Sequence, residues 1–83
     1  MKHSLKLNER YAERILSGEK TFEIRKNDRD YQKGDTLILM LVKNDGSFID
    51  GQNIEVEIKY IHSGLGMEKE YVVLGINLRE EKK

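Results

Sequence analysis

The sequence predicts a mostly-β fold of the α+β class: a small five- or six-stranded mixed barrel with one short helix. Three observations carry this. Several short stretches alternate apolar and polar residues with the strand period of two. One stretch only has the helical period of 3.6, and Gly, Asn and Asp punctuate the intervals between the runs. At 83 residues the chain has room for one core, so residues 1–83 read as a single domain, with 79–83 as a charged tail. A domain of this size buries only about 60% of the surface its unfolded chain exposes, so its core is marginal.

Residues 2–7 read as a strand with His3, Leu5 and Leu7 on one face and Lys2, Ser4 and Lys6 on the other. Asn8 suits a helix N-cap, because its side-chain oxygen can accept an unpaired amide of the first turn. Tyr11, Ala12, Ile15 and Leu16 then form an apolar stripe, and Gly18 fits a left-handed cap, which predicts a helix over 8–17. Residues 20–26 alternate again, and Phe22 and Ile24 are expected to face the core while Thr21, Glu23 and Arg25 face away. A polar, turn-rich stretch over 27–35 leads into residues 36–42, apolar on both faces and therefore expected to be central. Asn44-Asp45-Gly46-Ser47 marks a hairpin turn; Phe48-Ile49 reads as a short strand before a second turn at Asp50-Gly51. Over 53–62, Ile54, Val56, Ile58 and Tyr60 share one face, and Tyr71 to Leu78 is the last strand. The expected core is Phe22, Ile24, Leu37, Leu39, Leu41, Val56, Ile58, Val72 and Leu74, joined by Ile15.

Composition removes several function classes. With no cysteine there is no disulfide framework and no thiolate metal site, and two histidines make no metal centre, so neither metal nor cofactor is expected. The longest apolar run, Leu37 to Val42, falls far short of the ~20 residues of a membrane helix. The N-terminus has no signal-peptide apolar stretch, so a cytoplasmic protein without a membrane partner is expected. Fifteen Lys and Arg balance 15 Asp and Glu, which argues against a strong nonspecific duplex binder and leaves room for a local basic patch between Lys20 and Arg29.

The segment Gly18 to Tyr31 holds the candidate chemistry. Glu23 and Arg25 lie two apart on a strand, so they share a face about 7 Å apart, with Thr21 in line. The strand runs into Asn27, Asp28 and Arg29, which bring hydrogen-bonding groups of both signs. Such a row is either an ordinary solvated face, where a Glu–Arg pair contributes little, or a polar binding surface.

Gly18-x-Lys20-x-x-Glu23-x-Arg25 resembles the G-x-K-x-x-E-x-R signature of the ASCH superfamily, a branch of the PUA-like barrels. More narrowly, His3-x-Leu5-Lys6, Tyr11, the run Lys20 to Tyr31, Gly34-Asp35 and the closing Tyr71 to Ile76 look like a small bacterial and phage ASCH-like family of unknown function. The likeness spans most of the chain, and Lys20 to Tyr31 is its specific part. It implies a PUA-like barrel with the signature lining a cleft beside the helix, and RNA or a nucleotide or nucleoside as ligand. In that role Lys20, Glu23, Arg25, Asn27, Asp28, Arg29 and Tyr31 form the binding set. Arg25 and Arg29 stack on bases or form bidentate pairs. Glu23 accepts from a base amino group, Lys20 meets a phosphate, and Tyr31 either stacks or covers the core edge.

His3, Lys20 and Glu23 are the candidates for general acid–base chemistry, with Glu23 and Arg25 expected on a concave surface near Lys20 and His3. A histidine on an apolar strand face is equally a satisfied core residue; His62, before a glycine loop, reads as structural. One ASCH branch resembles amidohydrolases acting on acetylated cytidine through a lysine, a threonine and a glutamate. Lys20 matches that lysine, while Glu23 stands where the threonine would. Other ASCH proteins resemble ribonucleases. A hydrolase on RNA or a modified nucleoside is therefore one alternative. A phage or host protein-interaction module docking through a strand edge is another, weakened by the few large apolar residues expected at the surface.

Overall fold

The computed structural model describes residues 1–79. The chain runs β1 (Lys2–Asn8), a 3₁₀ turn (Glu9–Tyr11), α1 (Ala12–Leu16), β2 (Phe22–Lys26), β3 (Thr36–Val42), β4 (Phe48–His62) and β5 (Tyr71–Leu78). The five strands form one curled half-barrel sheet in the order β1-β3-β4-β5-β2. β1 and β3 are parallel and every other pair is antiparallel. The first two strands of the sequence thus stand at opposite edges of the sheet, and its curl turns those edges toward one another.

The core follows from strand alternation. Leu5 and Leu7 of β1, Leu37, Leu39 and Leu41 of β3, Ile54, Val56 and Ile58 of β4, and Val72, Leu74 and Ile76 of β5 are buried on the concave side. Ala12 and Ile15 of α1 and Tyr31 of the 27–35 loop join them. Registered pairs such as Leu5↔Leu39, Leu39↔Ile54 and Ile58↔Ile76 put these side chains opposite each other across the ladder.

Several sequence expectations change. The helix expected over 8–17 is shorter: Asn8 ends β1 and accepts the Arg10 amide at 3.0 Å, and the first turn is 3₁₀. A five-residue α1 buries only Ala12 and Ile15, so Leu16 is exposed. Phe48-Ile49 is the start of a 15-residue β4 and not a sixth strand; Gly51 takes a positive φ of 72° and the chain runs on without turning back. A register shift between Ile58 and Tyr60 then reverses the alternation of β4. Tyr60 therefore points outward, and Ile61 packs toward the core instead. At the other end, Arg79 continues the ordered chain: its amide donates to the Glu55 carbonyl and its guanidinium to Thr36 Oγ1. The remainder of the expected tail, 80–83, lies outside the described residues.

The largest correction concerns β2. Glu23 is 4% exposed, while Phe22 and Ile24, expected in the core, are 43% and 54% exposed. The register requires this: Glu23 pairs with Leu74 and Arg25 with Val72, and directly paired residues share a face. The inverted alternation predicts an inverted mutational response. Leu39→Ala should cost roughly 2–5 kcal/mol in denaturant unfolding, because Leu39 is fully buried. Ile24→Ala should cost less than about 1 kcal/mol; a loss comparable to that of Leu39→Ala would mean that β2 is turned the other way.

Candidate functional site

The facing edges of β1 and β2 are joined by one side chain. Arg25 Nη2 donates to the Lys6 carbonyl at 2.7 Å, an interstrand bond made by a guanidinium in place of a backbone amide. The same guanidinium holds Glu23: Nε lies 3.1 Å from Oε2, and Nη2 is also 3.1 Å from it. Lys20, released from the helix at the Gly18 cap, donates to Glu23 Oε1. A buried carboxylate is costly unless paired, and here both oxygens are met by cations. The Lys20 ammonium also sits 5.1 Å from the centre of the Tyr11 ring and 5.3 Å from that of Phe22, in cation–π range of both.

Arg25 divides the seam into two hollows of about 400 and 380 Å³, and both it and Lys6 line each of them. The first is walled by Tyr11, Phe22 and Ile24 with the Lys20–Glu23 pair. The second carries Lys26, Asp28, Arg29 and Tyr31, with Ser4 and Met40 at its wall. Five cations, Lys6, Lys20, Arg25, Lys26 and Arg29, therefore line the seam against two carboxylates, Glu23 and Asp28. The chain as a whole is formally neutral, so charge is concentrated here.

The structure brings Lys20, Glu23, Arg25, Asp28, Arg29 and Tyr31 to this cleft. Asn27 is exposed beside it, its amide bonded to the Glu70 carbonyl. His3 is elsewhere. It is buried, with Nε2 2.8 Å from Asp35 Oδ2 and its ring edge-on to Tyr31 at 5.0 Å. Asp35 also accepts the Gln32 amide and the Met1 ammonium. The His3 bond first, then these donors, hold the Asp35 carboxyl down at about 2, against an opposing push from burial. An ionised carboxylate only accepts, so Nε2 carries the proton and is committed to Asp35. Tyr31 is buried and its phenol is pushed up, chiefly by burial. It belongs to the core and shows only an edge to the second hollow.

The binding set expected from sequence leaves out Lys6 and Phe22, and takes in Lys26 only as part of the basic stretch between Lys20 and Arg29. Alternation puts the Lys6 side chain opposite Leu5 and Leu7, and the carbonyl that makes Lys6 matter leaves no mark in a sequence. Phe22 was assigned inward by alternation. On the outer face, Phe22, Gly75 and Tyr60 lie in one row across β2, β5 and β4, with Ile24 beside Val73. Large exposed apolar residues are thus less scarce than composition suggested. Among the described residues, no three of His, Cys, Asp and Glu are grouped to hold a metal ion, and no helix is long and apolar enough to cross a membrane.

Family comparison covers nearly the whole of this frame. The family described as "Domain of unknown function (DUF3850)" matches residues 2–76, from β1 into β5. The chain belongs to this family. A curated relative of this DUF3850 chain is the "Uncharacterized 12.9 kDa protein in GpA 3'region" of Escherichia phage P2, 51% identical over 37 residues. That match takes in 45% of the chain and 34% of the phage protein, so the chain spans about a third of that relative's length. Among solved structures, the crystal structure of hypothetical protein PH0355 superposes with a TM-score of 0.67 at 19% identity, covering 95% of this chain and 100% of that one. At that identity the likeness speaks for the fold alone.

Two measurements check the ion-pair assignments of the DUF3850 chain. Asp35 has its carboxyl lowered from 3.8 to about 2, so its pairing contributes fully above pH 4 and is lost as pH falls from there toward 2. Denaturant midpoints taken at pH 6, 4 and 2.5 should fall less steeply for Asp35→Asn than for wild type over the last interval. Equal slopes would disprove the pairing. Glu23→Ala should destabilise by about 3 kcal/mol, at the low end for a broken buried pair because Lys20 and Arg25 keep some solvent access. Glu23→Gln, which keeps an acceptor, should cost less, and a neutral Glu23→Ala would mean that the carboxylate is dispensable.

Proposed function

We propose that this DUF3850 chain is an ASCH-like, PUA-like domain that binds single-stranded RNA or a nucleotide in the seam between β1 and β2. One observation carries the reading: a formally neutral chain gathers five cations against two carboxylates along one cleft, around a buried glutamate. Single-stranded recognition needs cations for phosphate, planar surfaces for bases and an acceptor or donor for base edges. Arg25, Arg29, Lys6 and Lys26 supply the first, and Phe22, Tyr11 and the guanidinium planes the second. Glu23 supplies the third. A carboxylate has about four acceptor positions, and Lys20 with the two Arg25 nitrogens leaves one for a base amino group. The surplus of cations in the seam is small, which suits a few nucleotides and not a duplex.

Hydrolysis of acetylated cytidine draws less support, because Thr21 lines a separate hollow with Ile76 and Leu78 and no threonine lines the seam. A protein-docking role has the exposed outer row of Phe22 and Tyr60 in its favour.

Titration of a fluorescent single-stranded RNA at two salt concentrations tests the proposal. Arg29→Ala removes an exposed cleft cation without touching the Glu23 pair and should weaken binding several-fold. Lys59→Ala, exposed and outside the cleft, should change it less than twofold. Two or three phosphate contacts give a slope of log K against log salt of about −1.4 to −2.1. Equal effects of the two substitutions would remove the seam as the binding site.

A further inference from the structure

The two hollows of the seam differ in chemistry, and Arg25 and Lys6 stand at their boundary. Beyond those shared cations, the first hollow holds the mutually neutralising Lys20–Glu23 pair and an apolar wall of Tyr11, Phe22 and Ile24. The Lys20 ammonium covers one face of the Phe22 ring, and Phe22 as a residue is still 43% exposed. The second hollow adds Lys26 and Arg29 against Asp28 and is the more polar of the two. At the boundary, Arg25 commits Nε and Nη2 to Glu23 and Lys6; among the described residues its Nη1 makes no hydrogen bond and keeps two N–H donors.

Resting on the nucleotide-binding reading above, we infer that the seam is divided by task. The first hollow takes a base, the second takes its 5′-phosphate, and Arg25 lies under the sugar that joins them. The ligand class is then a nucleoside 5′-monophosphate unit, free or within a single strand. A base is flat, weakly polar and edged with amino and carbonyl groups, which suits an aromatic wall beside a carboxylate with one open acceptor position. A phosphate is recognised by guanidinium and ammonium groups, which the second hollow has in surplus. Each hollow has the size of a small ligand site.

Calorimetric titration of cytidine, cytidine 5′-monophosphate, adenosine and adenosine 5′-monophosphate into wild type, Phe22→Ala and Arg29→Ala tests the division. Both substitutions remove exposed side chains, and an unchanged thermal midpoint verifies the fold. The monophosphates should bind wild type about tenfold more tightly than the nucleosides. Arg29→Ala should erase that margin while leaving nucleoside affinity within twofold, and Phe22→Ala should weaken both by similar factors. If the monophosphates bind no better than the nucleosides, or if the two substitutions act alike on both, the division is overturned while nucleotide binding at the seam stands. If no nucleoside, nucleotide or single-stranded RNA binds wild type, the broader reading fails and the division with it.

Discussion

The bond from Arg25 to the Lys6 carbonyl is the constraint on which the rest of the molecule depends. A five-stranded sheet that curls without closing leaves two edge strands with unpaired backbone groups. Here a guanidinium spans the gap, and it reaches only because Arg25 points inward. Arg25 can point inward only if its strand neighbour two residues back does so too, and that neighbour is a glutamate. The buried Glu23 is thus a consequence of the strut, and Lys20 and Arg25 together make its burial tolerable.

This arrangement explains why the exposed face of β2 is apolar. Once Glu23 and Arg25 take the concave side, Phe22 and Ile24 are left outside, where Ile24 stands opposite Val73 and Phe22 shares a row with Gly75 and Tyr60. The Gly75 between Phe22 and Tyr60 has no side chain to separate them, and a Cβ there would stand 3.4 Å from that of Tyr60. The same choice produces both an outer apolar row and an inner polar seam, so the two surfaces are coupled through one strand's orientation.

A buried hydrogen bond secures the far wall. His3 and Asp35 tie the start of β1 to the end of the 27–35 loop, and Tyr31 packs against the His3 ring. This wall carries Asp28 and Arg29 to the seam. Asp35 belongs to the supporting structure, and its depressed carboxyl reflects the donors around it and no role at the cleft. Perturbation of a titrating group marks a functional site only when the group faces the ligand space, which Asp35 does not.

Much of the fold was written in the sequence. Strands β1, β3 and β5, the hairpin turn at Gly46, the helix cap at Gly18 and the buried faces of β1, β3 and β5 all follow from period-two alternation and turn chemistry, which are local properties. The segment from Lys20 to Tyr31 was legible as the place where polar chemistry gathers. Tertiary structure alone decided which side of β2 faces inward, because alternation marks two faces without saying which is buried, and a long-range cation pair can outweigh the apolar preference of Phe22 and Ile24. It also decided where β4 changes face, since a single extra residue at the bulge reverses every position after it. The long-range partners of the site and of its supporting wall were hidden for the same reason. The Lys6 carbonyl and the Asp35 carboxylate stand 19 and 32 residues from the side chains they serve, and only the curl of the sheet brings them within a hydrogen bond.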